Sequence, residues 1–216
     1  MSLSPNIGLP PGIILDYLGV GFFAVSGAIA ALERRQDVVT FIFFGAITGI
    51  GGGTLRDLLI GVPVFWVHQP AYLVVCAVAA LGVWFSRGRG INPGVLLWMD
   101  AVGLSAYAVV GAGKALGVGL GAPVCVVMGV LTACFGGVLR DVLSEQPSVL
   151  LRREIYVTAA IAAATAFVTV DDLGLTHGAA AAVGVGVGLI VRGGALTFGW
   201  RLPIAEPRAP TGPDAE

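Results

Sequence analysis

The sequence predicts an all-α integral membrane protein with seven transmembrane helices. Three observations lead to this prediction: the composition, a series of apolar runs long enough to cross a bilayer, and an internal repeat. Of the 216 residues, 56% are hydrophobic and only 12% are charged, whereas about 25% are charged in an average soluble domain. A chain so poor in charge is suited to lipid rather than to water.

The apolar runs are each about 20 residues long, the length that an α-helix needs to cross a hydrocarbon core roughly 30 Å thick. They are numbered here as spans 1 to 7 and are predicted at residues 12–32, 38–60, 70–86, 94–116, 122–143, 155–170 and 177–198. Residues 1–216 are therefore read as a single membrane domain. The uncharged leader lacks the basic start of a signal peptide, so no removable targeting segment is expected.

An internal repeat relates the two halves of the chain. Shifted by 84 residues, the sequence aligns with itself without gaps, and 17 of the 48 positions from Asp16 to Pro63 are identical to their partners. Charged and proline positions take part, which low complexity does not explain. We define repeat one as residues 12–86 and repeat two as residues 94–170, with the seventh helix at 177–198 outside both.

The repeat favours transport as the function. Each copy holds three spans, an odd number, so the second copy enters the membrane from the opposite side to the first. Inverted repeats with interrupted helices recur in transport proteins, whose solute site lies near the midplane. The sequence has no nucleophile elbow, Walker loop or HExxH motif. An enzyme is therefore not predicted, nor any catalytic residue or cofactor.

The distribution of arginine predicts the orientation. If the spans alternate sides, one side carries the C-terminus and nine arginines: Arg34, Arg35, Arg87, Arg89, Arg152, Arg153, Arg192, Arg201 and Arg208. Short loops rich in Lys and Arg stay in the cytoplasm, so the N-terminus is predicted outside and the C-terminus inside a bacterial inner membrane. The tail at 201–216 is rich in proline and charge and is predicted to be mobile and cytoplasmic. Because the arginines are dispersed, no nucleic-acid partner is predicted.

Glycine clusters lie within two equivalent spans. Span 2 carries GAITGIGGGTLRD at Gly45–Asp57, and span 5 carries GVLTACFGGVLRD at Gly129–Asp141. A glycine in a helix interior costs about 1 kcal/mol relative to alanine, so both spans are predicted to kink or unwind there. Freed carbonyls at membrane depth are tolerated only when buried in protein or facing water, so an opened turn could line a pore. Close helix packing through small residues is the alternative.

Charged residues recur at equivalent places in the two repeats: Asp16 with Asp100, Arg56 with Arg140, and Asp57 with Asp141. A charge within a span costs about 2.5 to 3.5 kcal/mol on insertion scales, so each needs a partner or water. Neighbouring helix residues point about 100° apart, so Arg56 is not expected to pair with Asp57. We predict the pairs Asp16–Arg56 and Asp100–Arg140 near the two mouths, either as gating elements or as ion pairs that set helix register.

The other polar and aromatic residues give weaker signals. Lys114 stands where repeat one has Ala30, and it is predicted to reach the lipid interface. No metal site is predicted from the histidines and cysteines, which lack ligand spacing: His68, His177, Cys76, Cys125 and Cys134. Five aromatic residues near span ends are predicted to form interfacial belts: Trp66, Tyr72, Trp84, Trp98 and Tyr156.

The string GxGGGxxRDxLxGxPxFW at Gly49–Trp66, with its second copy GGVLRDVL at Gly136–Leu143, resembles the prokaryotic relatives of the trimeric intracellular cation (TRIC) channels. The resemblance extends over nearly the whole chain. It implies a homotrimer in which every protomer has its own pore, formed by spans 1, 2, 4 and 5. It also implies that K⁺ permeates, with Na⁺ passing too.

By position, the resemblance assigns the pore and kink glycines as Gly49, Gly51, Gly52 and Gly53 in repeat one and Gly136 and Gly137 in repeat two, where Phe135 replaces a third glycine. Bacterial sequences of this type are also grouped as glycine transporters. Alternating-access transport of a small amino acid is therefore an alternative, and a structural or lipid-binding protein without conduction is a third. The expected partners are further copies of the chain and membrane lipids.

Overall fold

The computed structural model describes residues 11–87, 89, 93–148 and 155–203, and it is all-helical. Eight α-helices are found in these residues: α1 (Pro11–Glu33), α2 (Val38–Leu59), α3 (Phe65–His68), α4 (Ala71–Ser86), α5 (Pro93–Gly117), α6 (Ala122–Leu143), α7 (Val157–Asp172) and α8 (His177–Phe198). Spans 1 to 7 correspond to α1, α2, α4, α5, α6, α7 and α8. The extra helix, α3, is a single turn between α2 and α4.

Five of the helices are long and apolar enough to cross a membrane: α1, α2, α5, α6 and α8. The third helix of each repeat is shorter, since α4 and α7 contain 16 residues each, below the length of a perpendicular span. The protein is thus an all-helical membrane protein, and the count of seven spans stays a prediction.

Local sequence explains where several helices begin and end. Asp37 caps α2, its carboxylate accepting the backbone N–H groups of Val39 and Thr40. The Thr40 amide is the main reason that the pKa of Asp37 lies below its ordinary value. The Thr176 hydroxyl caps α8 in the same way, and α8 ends at Gly199, whose φ of 68° suits glycine.

The helices pack within each repeat and then across the repeats. In repeat one α1 packs against α2 and α4, and in repeat two α5 packs against α6 and α7. The halves meet where α1 contacts α5 and α2 contacts α6, and α8 covers α5 and α7. The central contact follows the 84-residue shift: Phe23 lies against Gly103, and its partner Tyr107 lies against Gly19. Phe23 and Tyr107 meet edge to face with centroids 5.5 Å apart.

The polarity of the bundle suits lipid. Large apolar side chains such as Val78, Phe85 and Ile190 are exposed, while the largest fully buried side chains are three arginines: Arg56, Arg140 and Arg192. Arg192 is therefore a residue of the bundle interior and not one of the loop arginines on which the predicted orientation depends. The three cysteines are buried and free. Arg152, Arg153, Arg208 and residues 204–216 of the tail lie outside the described residues.

Two of the predicted belt aromatics are in fact core residues. Tyr72 is 3% exposed and its repeat partner Tyr156 is 1% exposed. The prediction of interfacial belts is wrong for both, because each ring turns inward toward a charged cluster described below.

Candidate functional site: the α2–α6 crossing and two charged clusters

The glycine motifs form the crossing between α2 and α6. A Cβ placed on Gly52 would collide with the backbone carbonyl of Thr132, and one placed on Gly136 would collide with that of Thr48. These contacts are equivalent, since Gly52 pairs with Gly136 and Thr48 with Thr132 in the repeat. Only hydrogen at these two positions permits such an approach of backbones.

The neighbouring glycines also provide room for side chains. A Cβ on Gly51 would lie 2.6 Å from Leu139, and one on Gly53 would lie 2.6 Å from the Phe65 ring. A Cβ on Gly49 would lie 3.0 Å from the Cys76 sulfur, and one on Gly137 would lie 2.5 Å from the Tyr156 hydroxyl. Helix α2 is continuous from Val38 to Leu59 and α6 from Ala122 to Leu143. The glycines thus pack helices closely without an unwound turn, and a kink stays a prediction.

Four charged side chains gather in the bundle interior at the end where α1 begins, which we call the N-side. This N-side cluster consists of Asp16, Arg56, Asp57 and Lys114. Arg56 Nε donates to Asp57 Oδ1 at 2.8 Å, and both side chains are fully buried. Lys114 Nζ lies 2.8 Å from the same oxygen. The Phe65 backbone N–H donates to Asp57 Oδ2 at 2.9 Å, so Asp57 joins α2, α3 and α5.

Asp16 lies beside these ion pairs without making one. The Tyr72 hydroxyl donates to Asp16 Oδ2 at 2.9 Å, and Asp16 also lies within reach of the buried Tyr107 hydroxyl. The two terminal nitrogens of Arg56, Nη1 and Nη2, are buried without a partner. The predicted Asp16–Arg56 ion pair is therefore wrong, because Arg56 takes the carboxylate of Asp57.

A second group of charges lies at the end of the bundle where α8 ends, the C-side. This C-side cluster is centred on Arg140, which is 1% exposed. Its Nη1 donates to Asp100 Oδ1 at 2.6 Å and to Ser26 Oγ at 2.5 Å. Its Nε and Nη2 donate to Asp141 Oδ1 at 2.9 and 2.8 Å. Every guanidinium nitrogen of Arg140 is therefore hydrogen-bonded, and the side chain joins α1, α5 and α6.

The C-side cluster extends to a further arginine. Arg192 of α8 is buried, its Nη1 donates to the Ile155 carbonyl at 3.3 Å, and its Cζ lies 5.1 Å from the centroid of the Tyr156 ring.

Three of the predicted charge interactions need revision. The Asp100–Arg140 contact is present, but Arg140 also binds the adjacent Asp141. Arg56 binds the adjacent Asp57, a pairing that was not expected. The arginine side chain is long enough to fold back over its neighbour. Lys114 was predicted to reach the lipid interface, yet its ammonium turns inward to Asp57 and its side chain is 32% exposed. A buried carboxylate attracts it more strongly than the interface does.

The two repeats differ in sequence at two positions that make the N-side and C-side clusters unequal. Ser26, whose hydroxyl accepts from Arg140, corresponds to Val110 in repeat two, which has no hydroxyl. Lys114, which binds Asp57, corresponds to Ala30 in repeat one. The C-side arginine is therefore fully paired, while the N-side arginine is not.

Two cavities open beside the N-side cluster. One of about 680 Å³ lies between α1, α5 and α8 and is mostly apolar, with Asp16, Lys114 and His177 in its wall. The other, of about 470 Å³, is lined by Asp16, Phe65, Tyr72 and Lys114 among others. Both cavities share Asp16 and Lys114, so these two side chains face the space outside the closed cluster.

Sequence reasoning missed the neutral members of both clusters. Ser26 is a lone hydroxyl in an apolar run, and an unpaired polar residue within a span is a signal for an interior contact. Tyr72 and Tyr156 are 84 residues apart, so extending the repeat beyond Pro63 would have matched them. Phe65 was noticed only as part of a motif. Among the described residues, no group of three or more His, Cys, Asp or Glu side chains could hold a metal ion.

Comparison with known proteins gives matches over most of the chain. The family model for the glycine transporter matches residues 13–87 and 97–172, whose starts differ by the 84 residues of the internal repeat. The UPF0126 inner membrane protein YadS of Escherichia coli strain K12 is 36% identical over 196 residues, covering 88% of this chain and 93% of the relative.

Solved structures share both the fold and the sequence. The TRIC channel orthologue from Rhodobacter sphaeroides superposes with a TM-score of 0.83 and 44% identity, covering 88% of this chain and 98% of that one. A further TRIC cation channel structure gives a TM-score of 0.81 with 33% identity, covering 92% of this chain and 98% of the other.

Proposed function

We propose that this chain, which belongs to the family matched by the glycine transporter model, is a cation channel of the bacterial inner membrane. The observation that carries the proposal is a row of interior charges on both sides of the α2–α6 crossing, in a bundle whose exposed surface is apolar. Buried charges within spans are costly in lipid and typically mark the paths of substrates or ions. The likeness to TRIC channel structures and to a relative called an inner membrane protein supports the same conclusion.

The permeant ions in this proposal are K⁺ and Na⁺, and the path runs through each protomer of a homotrimer between α1, α2, α5 and α6. These four helices contribute every charge of the N-side cluster and the Arg140, Asp100 and Asp141 charges of the C-side cluster. All seven spans cross the bilayer, the shorter α4 and α7 by local thinning of the lipid.

Conduction requires the α2–α6 crossing to open. In the present conformation the backbones touch at Gly52 and Gly136, which leaves no room for a hydrated cation between them. Glycines weaken a helix locally, so α2 and α6 bend at Gly51–Gly53 and at Gly136–Gly137 as the gap opens. Arg140, which joins three helices, holds the C-side closed until it exchanges partners.

The orientation in this proposal places the N-side outside and the C-side in the cytoplasm. Arg34, Arg35, Arg87, Arg89 and Arg201 follow helix ends on the C-side. This excess of arginine at one face supports a cytoplasmic C-side even without Arg192.

Purified protein in planar bilayers under a K⁺ gradient tests the function. We expect discrete currents that reverse near the K⁺ equilibrium potential, and chemical cross-linking that saturates at three chains. Saturable uptake without passive current would instead show a transporter, and cross-linking that stops at two chains would exclude the trimer.

A further inference from the structure

A cavity on the C-side of the bundle lies apart from both charged clusters. It has a volume of about 420 Å³ and lies between the end of α1, the beginning of α2 and the end of α4. Its lining contains four large apolar side chains and two arginines: Leu32, Phe41, Trp84, Phe85, Arg35 and Arg87. Gln36 completes the lining, so the wall of the cavity carries two positive charges and no carboxylate.

Neither arginine of this cavity is neutralised by the protein. Both residues are exposed, and within the described part of the chain no carboxylate forms an ion pair with either of them. Asp37 is near in sequence, but its carboxylate caps α2 by accepting two backbone amides and the Thr40 hydroxyl. The guanidinium groups of Arg35 and Arg87 are therefore available to an anionic ligand.

The backbone at both arginines has the left-handed conformation that favours glycine. Arg35 has a φ of 53° and Arg87 a φ of 49°. In repeat two the partner of Arg35 is Gly119, with a φ of 88°, and the left-handed residue after α7 is Gly174, with a φ of 81°. Glycine adopts this conformation without strain, whereas a side chain makes it costly. Strained residues of this kind are typical of positions that hold a ligand.

The apolar part of the cavity continues onto the exposed surface of α4. Val74, Val78 and Phe85 lie along one face of this helix and are 61%, 64% and 75% exposed, as expected of side chains that face lipid. Phe85 also lines the cavity. A hydrocarbon chain that lies along this face of α4 therefore ends beside Arg87, at the end of the helix.

The residues of the cavity specify the chemistry of the ligand. A guanidinium group binds a phosphate with two parallel hydrogen bonds. Tryptophan and arginine at the end of a membrane helix lie at the depth of the lipid head groups, and basic side chains at this depth attract anionic lipids. A phosphate group at the head of an apolar chain matches both the charged and the apolar parts of the cavity.

We propose that this cavity is a binding site for a phospholipid with a net negative charge. Arg35 and Arg87 hold the phosphate group, and an acyl chain packs on Phe85 and the exposed face of α4. The site goes beyond the proposed channel function, because none of the residues that line it belongs to α5 or α6.

The inverted repeat gives an internal comparison. The corresponding turns of repeat two, which lie on the N-side, have Gly119 and Gly174 in place of the two arginines. The proposal therefore places the lipid on the C-side only, with one site in each chain.

Native mass spectrometry of the full chain in detergent tests the site. Phosphatidylglycerol is the probe, and phosphatidylcholine, whose head group has no net charge, is the control lipid. We expect one phosphatidylglycerol per chain to bind at least about tenfold more tightly than phosphatidylcholine, since each arginine near a membrane surface favours anionic lipid about fivefold. Glycerol phosphate, which has the charge but no acyl chain, should not displace the lipid.

Arg35→Gly and Arg87→Gly separate binding from folding. Each should weaken phosphatidylglycerol binding about fivefold, and the double variant about 25-fold, while the unfolding temperature stays the same or rises because glycine suits both turns. Arg35→Lys keeps the charge and should restore part of the affinity. Arg201→Gly removes an exposed C-side arginine that does not line the cavity, and it should leave the affinity unchanged.

Three results would overturn the proposal. They are equal binding of the two lipids by the unmodified protein, unchanged phosphatidylglycerol affinity in the folded double variant, and displacement of the lipid by glycerol phosphate, which would indicate a site for free phosphate. If the double variant binds lipid as the parent does but changes the number of chains per complex, the surface is a contact between copies instead. Because none of these measurements uses K⁺ current, the lipid site and the channel function can fail independently.

Discussion

The Lys114 ammonium lies 2.8 Å from a carboxylate oxygen of Asp57, and this contact has no counterpart in the other half of the molecule, since Ala30 stands at the equivalent position. It brings α5 against the end of α2 through one partly exposed and one fully buried charge. The N-side of the bundle therefore has a lysine that contacts the Arg56–Asp57 ion pair and also lines both cavities, and the C-side has no equivalent lysine.

Replacing Lys114 tests this contact. Lys114→Met should destabilise the protein by about 1 to 2 kcal/mol, because the buried Asp57 carboxylate loses the ammonium and keeps its contacts with Arg56 and the Phe65 amide. The figure lies below the 3 to 5 kcal/mol of a fully buried pair, since the lysine is partly in contact with solvent. Thermal unfolding in detergent measures the effect, and Lys114→Arg should retain most of the stability. A Met variant as stable as the parent would show that the contact contributes nothing.

Close backbone approach at the helix crossing predicts a large effect of one methyl group. Gly52→Ala should destabilise the fold by about 1 to 3 kcal/mol or more, the cost of overpacking a tight core, because the new Cβ meets the Thr132 carbonyl. Gly82→Ala in α4 is the matched control, since nothing lies within 4 Å of its Cβ position. That control should be neutral or stabilising, by up to about 1 kcal/mol.

The same pair of variants separates packing from bending. If Gly52 served only to weaken α2, both alanine variants would shift the unfolding temperature upward, since alanine favours a helix. A lower unfolding temperature for Gly52→Ala alone would instead show that Gly52 is required for close packing of α2 against α6.

The α2 cap gives a pH dependence with a definite sign. The folded-state pKa of Asp37 lies below its ordinary value of 3.8, mainly because the Thr40 amide donates to the carboxylate. The cap therefore contributes stability in full above that ordinary value, and this contribution is lost as the pH falls through the lower folded-state pKa. Asp37→Asn keeps an oxygen acceptor at the cap and should remove this part of the acid sensitivity, as unfolding temperatures between pH 6 and 2.5 would show.

Much of the fold follows from the sequence because membrane helices obey simple constraints. Every predicted span coincides with a helix to within a few residues, since apolar length and backbone hydrogen bonding leave few alternatives in lipid. The resemblance to TRIC channels at Gly49–Trp66 is likewise confirmed by the solved structures.

Pairing within the site was harder to predict because it depends on side-chain reach. The rule that adjacent helix residues diverge failed for Arg56 and Asp57, where a long side chain folds back over its neighbour. Inward or outward direction was equally hidden for Tyr72 and Lys114, since the sequence gives their depth in the membrane but not their side of the helix. Because Tyr72 and Tyr156 are equivalent in the repeat, their alignment would have indicated an interior position for Tyr72.

Removing the Ser26 hydroxyl tests whether the C-side cluster keeps the cytoplasmic entrance of the proposed pore closed. Ser26→Ala removes one acceptor from Arg140 Nη1 and leaves Asp100 and Asp141 in place, so the fold should lose only about 1 kcal/mol. In planar bilayers the variant should show a higher open fraction at the same voltage, because Arg140 is held to α1 by one bond fewer. Val110→Ala, at the repeat partner without a polar contact, is the control and should leave the open fraction unchanged. An unaltered open fraction in a folded Ser26→Ala sample would mean that Arg140 sets helix register and does not control the mouth.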